Sequence, residues 1–192
     1  MSFNRDIQLD PNRVQTRSGG SRGAVIGGGS ILTVIAVVLI SQLTGVDLTS
    51  MLGAQQQTGT TTSTASSIDT SVCTSGDSAN KYTQCRMVAT AESLDAVWTE
   101  QLPAQAGLKY AKPEFVLWDG TQISSACGNA SSAVGPFYCS GDRTVYLDMS
   151  FFSEMERSLG AADTPMAEEY IVAHEFGHHI QHLTGQMAKA DR

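Results

Sequence analysis

The residues best suited to chemistry form a short pattern near the end of the 192-residue chain, His174-Glu175-Phe176-Gly177-His178. Histidines four positions apart project from one face of a helix, so both imidazoles can reach the same metal ion. Zn²⁺ accepts such ligands and lowers the pKa of a coordinated water to about 7. A carboxylate beside the first histidine can take a proton from that water without binding the metal. The pattern predicts Zn²⁺ bound by His174 and His178, with Glu175 as a general base.

A helix over residues 164–184 is predicted to carry this pattern. Thr164 is a good N-cap, and Gly185 suits the position just after the last helical turn. Both histidines of the pattern lie off the apolar stripe that should pack against the core, which consists of Val172, Phe176, Ile180 and Leu183. The alternative is an ordinary solvent-exposed helix rich in histidine.

The other two histidines of this helix are not expected to bind the same metal. His179 falls within the apolar stripe, which favours packing or a supporting hydrogen bond. His182 lies two turns beyond His174, about 12 Å along the helix axis. A metzincin would have glycine and histidine where this chain has Gln181 and Thr184, so that class is excluded.

The third zinc ligand has no strong candidate, although a catalytic zinc normally has three protein ligands and one open position. After Gly185 the only carboxylate is Asp191. Asp148 and Glu154 could approach from preceding elements, but no spacing argument favours either. We therefore expect the domain to be incomplete at its C-terminus, with the third ligand outside this chain.

The residues before the helix predict an α+β domain in which the active-site helix packs against a small sheet. Strands are expected at 113–118 and 144–149, and a short helix at 151–159. Residues 127–139 are expected to form a loop rich in Gly, Ser and Asn. A longer helix is expected at 89–102, with an apolar face made of Leu94, Val97, Trp98 and Leu102.

Residues 24–43 form a stretch of twenty residues without a charge. As a helix it would span roughly 30 Å, the thickness of the hydrocarbon core of a bilayer. A cleaved signal peptide would have a shorter apolar core nearer the N-terminus. A buried soluble helix would be weakened by the three glycines at 27–29, whereas membrane helices commonly contain glycine. A single transmembrane helix over residues 24–44 is therefore predicted.

The charges around this segment predict its orientation and the domain organisation. Four arginines precede it and Asp47 follows it, which places residues 1–23 in the cytoplasm and the rest outside. Residues 45–71, rich in Gln, Thr, Ser and Gly, are predicted to form a flexible linker. Residues 72–192 then form the metallopeptidase domain. With 12 basic and 19 acidic residues, nucleic-acid binding is not expected.

The four cysteines all follow the apolar segment, at Cys73, Cys85, Cys127 and Cys139. They form no C-x2-C metal pattern, and an oxidising compartment favours disulfides. Three pairings are possible, and the local pairing Cys73–Cys85 with Cys127–Cys139 is predicted because short loops close at low entropic cost. The alternative is four reduced, buried cysteines.

Taken together, several segments resemble the bacterial putative neutral zinc metallopeptidase family. They are the apolar segment with its polar linker, SSACGNASSAVGPFYCSGDRTVYLDMSFF at 124–152, and EEYIVAHEFGHHIQHLTG at 168–185. The resemblance implies a zincin-like, membrane-anchored peptidase with His174 and His178 as zinc ligands and Glu175 as general base. It also implies a further helix after this chain, bearing an acidic motif that resembles the third ligand.

The sequence thus predicts a single-pass cell-membrane protein whose zinc metallopeptidase domain lies outside the cytoplasm, in the periplasm or the extracellular space, and hydrolyses peptide or protein substrates. Two alternatives stay open. One is a catalytically inactive, membrane-tethered interaction module with a vestigial zinc site, which chelator-sensitive peptide hydrolysis would exclude. The other is a zinc amidase acting on cell-wall peptides, which activity on muropeptides rather than casein would reveal.

Overall fold

The computed structural model describes residues 2–19, 68–159 and 164–190. The predicted transmembrane helix at 24–44 and most of the predicted linker lie outside these ranges. Among the helices within them, none combines the length and the apolar character needed to cross a membrane.

The described part of the chain is a mixture of helices and strands, as the sequence predicts. Its helices are α1 (Gly76–Lys81), α2 (Thr83–Ala106), α3 (Phe151–Leu159), α4 (Pro165–Leu183) and α5 (Met187–Ala190). Short 3-10 turns occur at Pro11–Arg13 and Ser132–Val134. Its strands are β1 (Gln15–Gly19), β2 (Glu114–Gly120), β3 (Gln122–Ser125), β4 (Gly128–Ser131), β5 (Phe137–Cys139) and β6 (Thr144–Asp148).

Four of these strands form one mixed sheet in the order β1-β2-β6-β5. Strands β1, β2 and β6 are parallel, whereas β5 runs antiparallel to β6. The predicted strands at 113–118 and 144–149 correspond to β2 and β6, the two central strands. Strands β3 and β4 form a separate antiparallel hairpin. The sheet therefore has β1 at one edge and β5 at the other.

Side chains alternate between the two faces of the central strands, and both faces are covered, so the middle of β2 and all of β6 are buried. Trp118, on one face, packs with Ile123 and Ala130 of the hairpin. The opposite face packs against helices α2 and α4 through Phe115, Leu117, Val145 and Leu147. Helix α4 is thus held directly against the sheet.

The N-terminal residues belong to this folded unit, in contrast to the domain boundary predicted after residue 23. Residues 3–19, called the N-terminal arm below, contribute strand β1 and the buried side chains of Leu9 and Val14. The sequence QTRSG of β1 has no apolar alternation, because this edge strand is attached mainly by its backbone. A scan for apolar patterns therefore misses it.

Both predicted disulfides are present, Cys73–Cys85 and Cys127–Cys139. The first attaches the chain before α1 to helix α2. The second encloses the hairpin strand β4 and ends in β5, so the segment predicted as a loop contains two strands. Strand β4 consists of small residues and β5 has only three residues, so neither gives a local signal.

Asp142 organises the turn that follows β5. Its carboxylate accepts hydrogen bonds from the backbone N–H of Ala126, the backbone N–H of Thr144 and the hydroxyl of Tyr146, at 2.9–3.2 Å. Burial alone would raise the pKa of Asp142, but these hydrogen bonds outweigh it and hold the pKa below its usual range. The ionised carboxylate therefore joins the disulfide-bonded loop to β6.

Helix α2 differs from its prediction in length and in its buried face. It starts six residues earlier, at Thr83, and its buried side chains are concentrated in its first half. Val97, predicted to face the core, is 51% exposed, whereas Asp95 is only 3% exposed. Asp95 is buried because Arg13 of the N-terminal arm packs on this side of the helix.

Candidate active site

Helix α4 carries the HExxH residues and has close to its predicted bounds. The Thr164 hydroxyl accepts a hydrogen bond from the N–H of Ala167, so it is the N-cap. Gly185 follows the helix with a φ of 71°, a value that glycine adopts readily. The predicted apolar stripe is fully buried at Val172 and Phe176. This packing fixes the rotation of the helix about its axis.

Two contacts attach α4 to the elements beside it. Near its N-terminus, Glu168 forms a buried ion pair with Arg86 of α2 and accepts a hydrogen bond from the hydroxyl of Thr83. At its centre, Phe176 packs edge-on against Phe115 of β2, with ring centroids 6.1 Å apart, and the Arg13 guanidinium lies 5.7 Å from the Phe176 ring. The residue between the two predicted zinc ligands is therefore held by both the sheet and the N-terminal arm.

His174 and His178 lie one turn apart, and their ring centroids are 4.7 Å from each other. His174 is exposed and His178 is half-buried. The Nδ1 of His178 lies 2.9 Å from the side-chain oxygen of Gln181. Because that oxygen can only accept, Nδ1 carries the proton and Nε2 keeps its lone pair, the arrangement typical of a histidine that binds a metal through Nε2.

Glu175 lies between these histidines in sequence but is only 7% exposed. Burial raises the pKa of its carboxyl group, although His178, His174 and the backbone N–H of Tyr138 partly oppose this effect. The N–H of Tyr138 comes from β5, the edge strand next to α4. A carboxylate with a raised pKa, held by one backbone donor, is a stronger proton acceptor than an exposed carboxylate.

Tyr138 also links the remaining two histidines of the helix. Its hydroxyl lies 3.0 Å from Nδ1 of His179 and 2.8 Å from Nδ1 of His182. His179 is fully buried, and its Nε2 donates to the carbonyl oxygen of Ala111 at 2.6 Å. Burial lowers the pKa of His179, so the ring is neutral and its Nδ1 accepts the proton of the Tyr138 hydroxyl.

The direction of this hydrogen-bond chain determines which ring nitrogen of His182 donates to Tyr138. Burial raises the pKa of Tyr138 to about 12, so its hydroxyl keeps its proton and donates it to His179. The same hydroxyl oxygen can then only accept from His182, whose Nδ1 must carry a proton. This arrangement agrees with the supporting hydrogen bond expected for His179. The Nδ1 of His182 is likewise engaged in a hydrogen bond with the Tyr138 hydroxyl.

A cavity of about 270 Å³ adjoins the catalytic candidates and is lined by Pro136, Phe151, Tyr170, Ile171, His174 and Glu175. Phe151 also lines a larger cavity of about 530 Å³, together with Met155 and Arg157 of α3. Peptide-sized ligands bind in concave sites of this kind, where apolar walls meet a few polar groups.

No third metal ligand joins His174 and His178 within the described ranges, where no group of three or more His, Cys, Asp or Glu side chains is placed to hold a metal ion. Asp148 is fully buried at the end of β6, and its carboxylate accepts from the N–H of Ser150. Glu154 forms an exposed ion pair with Arg157. Neither possibility raised from the sequence is therefore realised, and Asp191 lies outside the described residues.

The helix, its two histidines and the buried glutamate have the composition of an HExxH zinc site. Residues 6–192 match the profile of the family described as putative neutral zinc metallopeptidase, and the chain belongs to this family.

Curated relatives support this membership. The chain is 44% identical over 152 residues to the uncharacterized protein Rv2575 of Mycobacterium tuberculosis, an alignment that covers 79% of this chain and 50% of that protein. It is 34% identical over 187 residues to the uncharacterized protein YpfJ of Escherichia coli K12, covering 92% of this chain and 60% of YpfJ. The chain thus spans about half the length of these relatives. No solved structure matches the chain significantly.

Sequence reasoning did not find Tyr138 or Arg13, both of which contact the active-site helix. Tyr138 lies within GPFYC, part of the block that carries the family resemblance, and that block was the available signal. Arg13 lies in a polar segment with no pattern that would connect it to Phe176.

Proposed function

We propose that this chain carries the general base and two zinc ligands of a zinc metallopeptidase that hydrolyses peptide bonds. One observation carries the proposal. His174 and His178 lie one turn apart with Glu175 between them in sequence, and the buried Glu175 lines a cavity together with His174. Family membership supports the same reaction class.

His174 and His178 fit two of the three protein ligands that a catalytic zinc normally has. Two imidazoles are suitable donors, and the Gln181 contact leaves Nε2 of His178 free to bind. A zinc ion at this position would supply a Lewis acid that polarises the carbonyl of the scissile bond and acidifies water. We propose that a third protein ligand comes from outside the described residues.

Glu175 would take a proton from the attacking water and pass it to the leaving amine. Its burial favours this role, because a raised pKa makes the carboxylate a stronger base. The backbone N–H of Tyr138 would keep the carboxylate oriented while it does so. A peptide side chain next to the scissile bond would enter the cavity between Phe151 and Tyr170.

We also propose that the domain acts outside the cytoplasm, attached to the cell membrane through residues 24–44. Two disulfides support this location, since oxidising compartments are where such bonds persist. The substrates would then be peptides or proteins of the periplasm or extracellular space.

The test compares zinc content and peptide hydrolysis in the purified product of the complete gene. Glu175→Gln should keep zinc, measured by atomic absorption, and lose about 10²–10⁴-fold in hydrolysis of quenched-fluorescent peptides. His174→Ala and His178→Ala should lose the zinc itself. Glu169→Gln, which removes a carboxylate from the same helix away from the metal ligands, should change neither property and is the matched control.

An active Glu175→Gln protein would show that this residue is not the base. A wild-type protein that binds zinc but cleaves no casein, peptide or muropeptide would favour the interaction-module alternative. Cleavage of muropeptides alone would favour the amidase.

A further inference from the structure

The N-terminal arm is attached along its whole length to the rest of the described domain, residues 68–159 and 164–190, which is called the catalytic unit below. Strand β1 pairs with β2 from Gln15, opposite Val116, to Gly19, opposite Gly120. The two glycines lie so close that a β-carbon at Gly120 would be 2.2 Å from the carbonyl oxygen of Gly19. The arm therefore forms the edge strand of the sheet and packs closely against β2.

A second attachment joins the start of the arm to helix α1. The N–H of Leu9 donates to the carbonyl of Thr74, and the N–H of Gly76 donates to the carbonyl of Ile7, at 3.1 and 3.0 Å. The side chain of Asn80 exchanges hydrogen bonds with the backbone of Phe3 in both directions. The arm thus contacts the chain at the start of α1 and within it.

The arm also supplies the positive charge that pairs with the buried carboxylate of Asp95. Arg13 donates two hydrogen bonds to Asp95, and the two side chains are only 9% and 4% exposed. Without the arm, Asp95 would keep Tyr110 and Lys112 as partners but would lose its buried guanidinium. The same guanidinium lies over the ring of Phe176, inside the HExxH pattern.

We propose that the N-terminal arm and the catalytic unit fold together in one compartment, on the same side of any membrane. A strand cannot pair with β2, nor Arg13 with Asp95, across roughly 30 Å of hydrocarbon. A single crossing that leaves residues 1–23 in the cytoplasm is incompatible with this fold, so the membrane attachment proposed above through residues 24–44 is made from one side of the membrane. The inference does not depend on the proposed peptidase activity.

The arginines before the apolar segment favour a cytoplasmic N-terminus less strongly in the folded protein than in the sequence. Three of these four arginines belong to the folded arm. Arg13 is neutralised by Asp95, Arg5 lies 3.8 Å from Asp77, and Arg17 donates to Gln15 within β1. Only Arg22 remains beside the apolar segment as a charge outside the arm.

The experiment labels single cysteines in intact bacterial cells that express the full chain. Arg5→Cys places a thiol on the arm, where the native side chain is 81% exposed. Val97→Cys places one on α2 of the catalytic unit, where the native side chain is 51% exposed. The four native cysteines are paired in disulfides, so each variant carries one free thiol. Both purified variants must react with a membrane-impermeant maleimide, which establishes that each position is accessible.

We expect both Arg5→Cys and Val97→Cys to react with the impermeant reagent in intact cells, before permeabilisation. Reaction of both only after permeabilisation would still support the shared compartment, while contradicting the location proposed above. Reaction of one position in intact cells and of the other only after permeabilisation would overturn the inference. Zinc binding and hydrolysis are not measured, so failure here is distinguishable from failure of the proposed function.

Discussion

Replacing Arg13 with methionine tests whether the N-terminal arm is an integral part of the domain. Methionine keeps much of the aliphatic bulk and removes the guanidinium. In the structure that group makes hydrogen bonds of 2.6 and 3.2 Å to the two carboxylate oxygens of Asp95. The substitution therefore leaves a buried carboxylate without its main partner.

The expected loss follows from what Asp95 retains. Removing one member of a buried ion pair typically costs about 3–5 kcal/mol. Asp95 still accepts from the hydroxyl of Tyr110 at 2.9 Å and still lies 3.3 Å from the ammonium of Lys112. Burial raises the pKa of Tyr110, which remains a donor at all ordinary pH values. These partners place the loss near the lower end, at about 3 kcal/mol.

Urea unfolding followed by tryptophan fluorescence measures this loss. With a slope of about 2 kcal/mol per molar urea, Arg13→Met should lower the midpoint by about 1.5 M. The matched control is Arg5→Met, which removes an arginine of the same arm from an ion pair with Asp77. That pair is 3.8 Å long with side chains 81% and 70% exposed, so the control should cost no more than about 1 kcal/mol.

Equal urea midpoints for Arg13→Met and Arg5→Met would show that the buried pair of Arg13 and Asp95 does not exist in solution. A double-mutant cycle gives a second check. If Arg13 and Asp95 interact, Arg13→Met combined with Asp95→Asn should cost clearly less than the sum of the two single substitutions.

Three further outcomes are expected. Changing both Cys127 and Cys139 to serine should lower the free energy of unfolding by about 3 kcal/mol, and an unchanged melting temperature would show that the bridge does not stabilise the fold. Tyr138→Phe should release His182 from the Nδ1–H tautomer, so long-range ¹H–¹⁵N spectra of the histidine ring should change, and an unaltered His182 pattern would contradict the hydrogen-bond chain. Asp142 has a lowered pKa in the folded state, so its contribution is complete above the unfolded pKa of about 3.9 and is lost as pH falls through the folded value. The advantage of the wild type over Asp142→Asn in unfolding free energy should therefore shrink below about pH 4, and a pH-independent difference would argue against it.

Local signals were sufficient for the elements that carry the HExxH residues. The cap at Thr164, the apolar period of α4 and the stop at Gly185 are all encoded within about twenty neighbouring residues. The disulfide pairing was also accessible, because it depends on short separations along the chain. Family membership required the longer blocks around these elements.

The parts that were missed depend on partners far away in sequence. Strand β1 is polar and is stabilised by β2, and Asp95 looks like a surface residue until Arg13 is placed beside it. The helical period of α2 therefore assigned Val97 to the core, where the structure leaves it exposed. Tyr138 joins three residues of α4 through its backbone and its hydroxyl, and no spacing rule connects β5 with that helix.

The pairing of β1 with β2 also sets the order in which the protein can be completed during synthesis. Gln15 and its side-chain partner Glu114 are 99 residues apart. At roughly 5–20 residues per second, a ribosome needs about 5–20 s to make the chain between them. The arm is thus made first and waits for β2, so it is already present when the edge of β2 forms and can cover that edge before strands of other molecules pair with it. Once docked, residues 15–19 cover that edge and protect the nascent domain from aggregation.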